Sequence, residues 1–296
     1  MTRTADRGAL LLMLLTVMLW GLSWVAMKYM LLYIGPFDGV FMRNLMAFAV
    51  LLVVQLVGGR SLRMPAPGLM VAVALFQTAG MQTLCQMALV TGGAGQVSLL
   101  AYTMPFWVVL FAWMLLGDKP SGKHWVGIVL AAIGLVSVMS PWEGLGSVQG
   151  SALAVAGGAS WGLGVVLAKR LFQQYQPDIL TVTMWQMFLC AVLTLPLVVL
   201  VPQRAIDWSL PFWLSMIYMA VFASALGWWL WMTVLGRVSA PVASMSALGV
   251  PIMTTIFAAV LLGERPSVWD YTGIFFLFAG LVVVNSPKRR PQGRAA

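Results

Sequence analysis

One stretch of the chain occurs twice and decides the fold: AGQVSLLAYTMPFWVVLFAWMLLGDKP at residues 94–120 and APVASMSALGVPIMTTIFAAVLLGERP at residues 240–266. Extended to the next Ser-Pro, residues 94–141 align with 240–287 without a gap, and 19 of 48 positions are identical. The shared positions include proline, glycine and charged residues, which chance similarity between two apolar segments does not reproduce together. Upstream, a slightly different offset pairs Trp20-Gly21-Leu22 with Trp161-Gly162-Leu163. The chain therefore consists of two halves that repeat one sequence pattern.

The composition is that of a membrane protein. Of the 296 residues, 61% are hydrophobic and only 8% are charged, with a mean hydropathy of +0.94, whereas soluble domains carry about 25% charged residues. The net charge of +9 is spread between apolar runs and forms no basic groove, so we expect no nucleic-acid partner. Two cysteines inside apolar runs and a single histidine indicate neither a disulfide framework nor a metal site.

Runs free of charged residues predict ten membrane-spanning helices. A bilayer core needs about 20 apolar residues per helical crossing, so the 54-residue run 64–117 must hold two helices, separated at Thr91-Gly92-Gly93-Ala94-Gly95. The first helix is too long for a cleaved signal peptide, and no small-residue cleavage site follows it. The predicted spans lie near residues 8–30, 37–57, 68–90, 95–116, 123–140, 149–170, 179–201, 209–235, 239–262 and 268–286.

The distribution of lysine and arginine predicts the orientation of these spans. With the N-terminus in the cytoplasm, 13 of the 17 basic residues lie on the inner side. Each repeat holds five spans, an odd number, so the second repeat enters the membrane upside down. The predicted fold is an all-α polytopic membrane protein of ten transmembrane helices in two inverted five-helix repeats (5+5), with both termini cytoplasmic. The repeats are residues 1–145 and 146–296, and the second includes a basic cytoplasmic tail. Such inverted repeats are typical of alternating-access transporters.

The repeated signatures also resemble a known family. Each half has a Trp-Gly near its start and a proline followed by Leu-Gly-[Asp/Glu]-[Lys/Arg]-Pro, as at residues 116–120 and 262–266. Over residues 8–287 this pattern is similar to the EamA-type branch of the drug/metabolite transporter superfamily, and most like its bacterial amino-acid exporters, including the aromatic amino-acid exporters called YddG. The resemblance implies ten helices, cytoplasmic termini and a central cavity lined mainly by spans 1, 3, 4, 6, 8 and 9.

Polar side chains inside the third span are candidates for that cavity. Thr78, Gln82 and Gln86 follow one another at i, i+4 and i+8, which places them on one helix face, with Gln77 beside them. Such side chains must face protein or water, because an unsatisfied amide in hydrocarbon is costly. Two interpretations remain open, a substrate cavity and hydrogen bonding between helices. We favour the cavity for Gln82, which lies in the middle of the stripe.

Aromatic and small polar residues near the middle of other spans complete the candidate binding site. Tyr102 lies one turn before Pro105, in a segment that resembles helix 4 of the aromatic exporters. Trp161 lies in span 6, in a stretch rich in glycine and alanine at residues 157–162, and Trp228 lies in span 8. Aromatic walls suit an amphipathic solute through stacking or cation–π contact, although packing against lipid or protein is the commoner use of such residues. Ser244 adds a small hydrogen-bonding group in span 9.

Two prolines are candidate hinges. Pro105 and Pro251 occupy equivalent positions of the two repeats, about ten residues into spans 4 and 9, and an interior proline removes a helical hydrogen bond. The alternative is a fixed kink that only serves packing. The two cations that could lie within a span, Lys28 and Arg43, are interpreted as anchors whose side chains extend to the outer surface.

The absence of acidic residues from the interior of the predicted spans bears on the mechanism. All eight carboxylates fall in connections or at span ends, whereas ion-coupled carriers usually keep an acidic residue in the membrane. We therefore predict an exporter of amino acids, aromatic and other small neutral or zwitterionic ones, that works by alternating access without obligatory ion coupling. The alternative is an EamA-type exporter of drugs or other metabolites. We expect no enzymatic activity, no metal and no cofactor, and we expect a multi-pass protein of the cytoplasmic (inner) membrane, monomeric within the lipid bilayer.

Overall fold

A computed structural model describes residues 7–117, 122–139, 146–237, 243, 247 and 249–285, and every regular element in this part of the chain is helical. Eight helical segments are long and apolar enough to cross a membrane, and Gly249–Leu262 is a shorter apolar helix. The helices are α1 Arg7–Met30, α2 Pro36–Val57, α3 Pro67–Val73, α4 Met81–Thr91, α5 Ala94–Ala101, α6 Met104–Leu116, α7 Gly122–Met139, α8 Gly146–Tyr175, α9 Ile179–Leu200, α10 Leu210–Ile217, α11 Gly227–Arg237, α12 Gly249–Leu262 and α13 Val268–Asn285.

Two spans contain a π-helical segment that the sequence pattern did not predict. We name them π1, Ala74–Gly80, between α3 and α4, and π2, Tyr218–Leu226, between α10 and α11. Their last residues, Gly80 and Leu226, are 146 positions apart, the offset of the sequence repeat. Segments of this kind are rare and are frequently found at functional sites.

The fourth span is broken next to Pro105. Helix α5 ends at Ala101, two turn residues follow, and α6 begins at Met104 with the proline in its first turn. A proline is well suited to that position, because it has no N–H to leave unsatisfied there. The span thus consists of two rods. In the other repeat, Pro251 is the third residue of α12, and residues 244–246 just before it lie outside the described part of the chain.

Helices of the two halves pack against each other in pairs that the repeat relates. Close glycine contacts also occur in equivalent pairs: a Cβ on Gly21 would lie 2.7 Å from the Cβ of Met253, and one on Gly162 would lie 2.7 Å from the Cβ of Trp107. Both pairs are repeat partners, so the halves are held together by the same interactions taken twice. The repeat relates the pair α1–α12 to the pair α6–α8, and the pair α1–α11 to the pair α4–α8. In two further pairs, α2 with α9 and α7 with α13, a helix packs against its own equivalent in the other half.

Helix α7 shows how burial follows the helical period. One face is exposed on the outside of the bundle, at Val126, Val129, Ile133 and Val136. The opposite face is buried, at Gly127, Ala131, Gly134 and Val138, and it packs against α13. Small residues let the two backbones approach, and a Cβ on Gly134 would lie 2.9 Å from the carbonyl oxygen of Gly273. A helix that is apolar all round and half exposed is expected to face lipid.

Hydrogen bonds between connections define two ends of the bundle. At one end, which we call the Lys28 face, Arg204 donates to the carbonyl of Leu31, and Lys28 donates to the carbonyls of Leu89 and Gly92 at 2.7 and 2.9 Å. At the other end, the Lys169 face, Arg60 forms an ion pair with Asp178 at 3.1 Å. Lys169 donates there to the carbonyl of Leu235. The repeat partners Lys28 and Lys169 therefore bind equivalent helix ends on opposite faces.

Candidate functional site

A cluster of aromatic rings lies where α1, α5, α8 and α11 meet. Trp20 is at its centre, with ring centroids 5.7 Å from Trp161, 5.2 Å from Trp228 and 5.7 Å from Trp231. Tyr102 extends the cluster through an edge-on contact with Trp161 at 5.1 Å. Offset and edge-on pairs of this kind are the arrangements that aromatic quadrupoles favour. Because Trp20 and Trp161 are repeat partners, the cluster straddles the junction of the two halves.

The second π segment holds Trp20 in place. The indole Nε1 of Trp20 donates to the carbonyl of Ala223 at 3.0 Å, within π2. At Gly227, where α11 begins, a Cβ would lie only 2.5 Å from the same nitrogen, so the ring needs a residue without a side chain there. A π turn leaves carbonyls out of the ordinary α-helical register, and one of them serves as the acceptor for this tryptophan.

A polar wall from the first repeat faces the rings. Arg43 of α2 is buried, and its Nε donates to Oε1 of Gln82 at 3.1 Å. The amide of Asn44 donates to the same oxygen at 2.6 Å. Nη1 of Arg43 is 2.8 Å from the sulfur of Met27. The thiol of Cys190 donates to Oε1 of Gln82 as well, at 3.9 Å. The three donors fix the orientation of Gln82 and leave its Nε2, which is buried, without a partner.

The rings and the polar wall enclose a cavity of about 40 Å³. This is well below the roughly 150 Å³ of a cavity that holds a benzene molecule, so the rings must part before a solute of amino-acid size can enter. None of the lining residues is acidic. The lining consists of Trp20, Ser23, Trp24, Met27, Arg43, Met81, Gln82, Cys85, Tyr102, Trp161, Met219, Ala223, Ser224 and Trp228.

The structure brings four of the sequence-predicted residues together and separates two others from them. Gln82, Tyr102, Trp161 and Trp228 line the one cavity, and Ser244 lies outside the described residues. The remaining two side chains are buried but bind elsewhere. Gln77 accepts a hydrogen bond from Gln186 of α9 at 2.9 Å, and Thr78 donates to the carbonyl of Ala74 within π1.

The interpretation of Arg43 as a surface anchor is wrong. Its side chain is 5% exposed and lines the cavity, where it contacts Gln82 and Met27. Lys28, which was interpreted in the same way, binds backbone carbonyls at the end of α4. Position along the span did not reveal the difference, because a long cationic side chain at that depth can reach either water or the protein interior. The sequence contained one signal, a cation well inside α2 in a chain whose carboxylates lie only in connections or at span ends.

The comparisons with known proteins agree with this architecture. The EamA-like transporter family matches the chain twice, over residues 7–140 and 148–286. The chain belongs to the EamA-like transporter family. A solved crystal structure shares the fold of this EamA-like transporter with a TM-score of 0.70 at 20% identity, over 95% of this chain and 97% of the other.

Most relatives of the EamA-like chain are named uncharacterized transporters. The uncharacterized transporter YvbV of Bacillus subtilis is 28% identical over 98% of this chain and 95% of its own length. Two relatives, from Salmonella typhimurium and Escherichia coli, are named probable amino-acid metabolite efflux pumps. They are 28% and 26% identical over 64% of this chain and 67% of their own. The chain is thus a multi-pass membrane transporter.

Proposed function

We propose that this EamA-like protein exports amino acids, aromatic and other small neutral or zwitterionic ones, across the cytoplasmic membrane by alternating access. The observation that carries the proposal is the cavity at the junction of the two repeats, lined by tryptophan rings from both halves and by Gln82 and Arg43. Ring faces attract both apolar side chains and an ammonium group. The efflux-pump names of two relatives support the same class of solute.

The proposed cycle uses the repeat itself. Ten helices in two inverted halves, with both termini cytoplasmic, give inward-open and outward-open states that exchange the roles of the halves. The two-rod span around Pro105 and its equivalent at Pro251 are the proposed hinges. Opening must separate the aromatic rings, since the cavity of about 40 Å³ excludes an amino acid. One copy of the chain contains a whole cavity, so the proposed unit is a monomer.

The distribution of charge favours transport down the solute gradient. In the described part of the chain, Asp207 lies in the connection between α9 and α10, and the other carboxylates lie in the first turn of a helix or just beyond a helix end, at Asp38, Asp178, Glu264 and Asp270. None of the five lines the cavity. A proton- or sodium-coupled carrier needs a group in the membrane whose protonation or ion binding changes during the cycle. The cytoplasmic excess of amino acid then drives export.

Counterflow in proteoliposomes tests the proposal. Vesicles containing purified protein are loaded with unlabelled phenylalanine, and labelled phenylalanine is offered outside with no ion gradient. We expect uptake above protein-free vesicles, reduced by Trp161→Ala but not by Trp208→Ala, which removes an exposed tryptophan outside the cavity.

The other outcomes decide against parts of the proposal. Uptake that requires an imposed proton or sodium gradient would overturn the uncoupled mechanism. If neither phenylalanine, threonine nor methionine is exchanged under any gradient, the amino-acid assignment fails, and the alternative of an exporter of drugs or other metabolites takes its place.

A further inference from the structure

Arg43 carries a charge that nothing in the described structure neutralises. Arginine stays protonated in proteins, and its side chain is 5% exposed inside a span. Its Nε binds a neutral amide oxygen of Gln82, Nη1 contacts the thioether of Met27, and Nη2 has no hydrogen-bond partner. Within the described residues, the one ion pair joins Arg60 and Asp178 at the Lys169 face. A buried cation without a counter-charge is costly, so it indicates a function.

The other unsatisfied polar atoms of the cavity wall are also donors. Buried Nε2 of Gln82 and Nε1 of Trp161 have no partner. The unsatisfied acceptors of the described structure are the amide oxygens of Asn44, Gln55 and Gln186 and the hydroxyls of Thr83, Ser151 and Ser209, and none of these residues lines the cavity. The cavity therefore presents N–H groups and a positive charge. The complementary ligand group accepts hydrogen bonds only and is negative, which describes a carboxylate.

We infer that Arg43, with Gln82 beside it, is a carboxylate subsite, and that the transported solutes are monocarboxylates bearing an aromatic or large apolar group. The α-ammonium of an amino acid is then dispensable, because no lining residue is acidic and only ring faces and the neutral hydroxyls of Ser23, Ser224 and Tyr102 remain to receive it. This inference rests on the proposed function and narrows its substrate class. It extends the class beyond amino acids to their deaminated analogues.

The subsite is built from one repeat only. The polar residues Arg43 and Gln82 come from the first repeat. The equivalent of Arg43, at the offset of 141 that relates Trp20 to Trp161, is Met184, and the equivalent of Gln82, at the offset of 146, is Trp228. Throughout the cycle, the carboxylate of a solute would stay bound to the first repeat, and its apolar end would stay against Trp161 and Trp228 of the second. A symmetric fold thus holds its ligand in one orientation.

Ligand binding to the purified protein tests the inference without transport. Three probes are compared by quenching of intrinsic tryptophan fluorescence: phenylalanine, 3-phenylpropionate, which lacks the ammonium, and phenylalaninamide, which lacks the carboxylate. We expect the first two to bind with dissociation constants within about tenfold of each other. Phenylalaninamide should bind at least about tenfold more weakly, the loss that accompanies removal of a charged hydrogen bond.

Variants then assign the preference to the subsite. Arg43→Gln should bind phenylalanine and phenylalaninamide about equally, and Arg43→Lys should keep part of the preference. Arg204→Gln, which removes an exposed arginine at the Lys28 face, should behave as wild type. Equal binding of phenylalanine and its amide by the wild type would overturn the inference, as would a folded Arg43→Gln protein with an unchanged preference. If Arg43→Gln does not fold, the probe panel on wild type and Arg43→Lys decides.

The outcomes separate this inference from the proposed function. Binding of 3-phenylpropionate that depends on Arg43, without exchange of any amino acid, would support the subsite and contradict the amino-acid exporter. Exchange of phenylalanine with no preference for a carboxylate would support the exporter and overturn the subsite. Absence of binding by either carboxylate would overturn the inference even if labelled threonine is exchanged.

Discussion

Glu264 connects the two repeats at the Lys28 face, and its removal should open the cavity more often. Its two carboxylate oxygens accept hydrogen bonds from the backbone N–H groups of Ala94, at 2.7 Å, and Gly95, at 3.1 Å. These groups are at the first turn of α5, whose N-cap, Gly93, offers no side-chain acceptor. Glu264 itself follows α12 in the other repeat. The contact therefore exists only while the ends of α5 and α12 lie together.

Glu264→Gln removes the negative charge and one of the two accepting oxygens. A hydrogen bond to a charged group contributes about 1.5–3 kcal/mol, and the carboxylate also interacts favourably with the helix N-terminus by about 0.3–1 kcal/mol. Because Glu264 is partly exposed, we take the loss as about 2 kcal/mol. If the contact is broken in the state open at the Lys28 face, that state becomes about 30-fold more populated relative to the closed one.

The native thiol of Cys85 reports this opening. It lines the cavity and is 1% exposed, so its reaction with N-ethylmaleimide in a Cys190→Ala background requires the rings to part. The rate should rise about 30-fold in Glu264→Gln. The matched control is Asp270→Asn, an acid-to-amide change at the same face whose carboxylate bonds only to Ser267 of its own half.

A rate in Glu264→Gln within about twofold of the parent would refute the reasoning, because the contact would then persist in the open state. Equal acceleration by Asp270→Asn would refute it as well. That result would point to a general loosening of the face rather than to a contact between the repeats.

Three further substitutions test the packing. Gly273→Ala should lower the free energy of unfolding by about 1–3 kcal/mol, because its Cβ would collide with Val138 and approach the carbonyl of Gly134; thermal unfolding measures the loss, and Gly68→Ala, which meets nothing within 4 Å, should leave the midpoint unchanged. Lys28→Met removes both hydrogen bonds to the end of α4 and should lower the free energy of unfolding by about 1–3 kcal/mol, whereas Lys28→Arg should lose less. Equal thermal midpoints for the wild type, Lys28→Met and Lys28→Arg would contradict a role of Lys28 in capping this helix end. Trp20→Phe leaves the Ala223 carbonyl in π2 without its donor, so we expect a loss of about 1–2 kcal/mol, whereas Trp213→Phe, at an exposed ring, should have no effect.

Much of the fold could be predicted from the sequence, because length and hydropathy limit what a bilayer admits. A helix must be about 20 apolar residues long to cross, so charge-free runs mark the spans, and the glycines at 92–93 divide the long run where α4 ends and α5 begins. The repeat in sequence also appears as equivalent helix pairs in the structure. These features depend on local composition, which the sequence displays directly.

The rotation of each helix about its axis could not be predicted in the same way. Thr78 and Gln82 share a face at α-helical spacing, but Thr78 lies in π1 and Gln82 in α4, so the ordinary period of 3.6 residues does not relate them. Only Gln82 of the two lines the cavity. The role of Arg43 was missed for a related reason, since which way a side chain points at a given depth depends on neighbouring helices distant in sequence.

The π segments have a consequence for insertions and deletions in this chain. A π turn contains about one residue more than the α turn that it replaces, so deletion of a single residue from π2 would restore a continuous α-helix. Because the wide turn had absorbed the extra residue, α11 would keep nearly the same orientation relative to α10, but the displaced carbonyl of Ala223 that accepts from Trp20 would be lost. A one-residue deletion in an α-helical part of the same span would instead rotate everything beyond it by about 100° and turn Trp228 away from the cavity. In both repeats, these spans should therefore tolerate a one-residue deletion inside the π segment better than the same deletion elsewhere along their length.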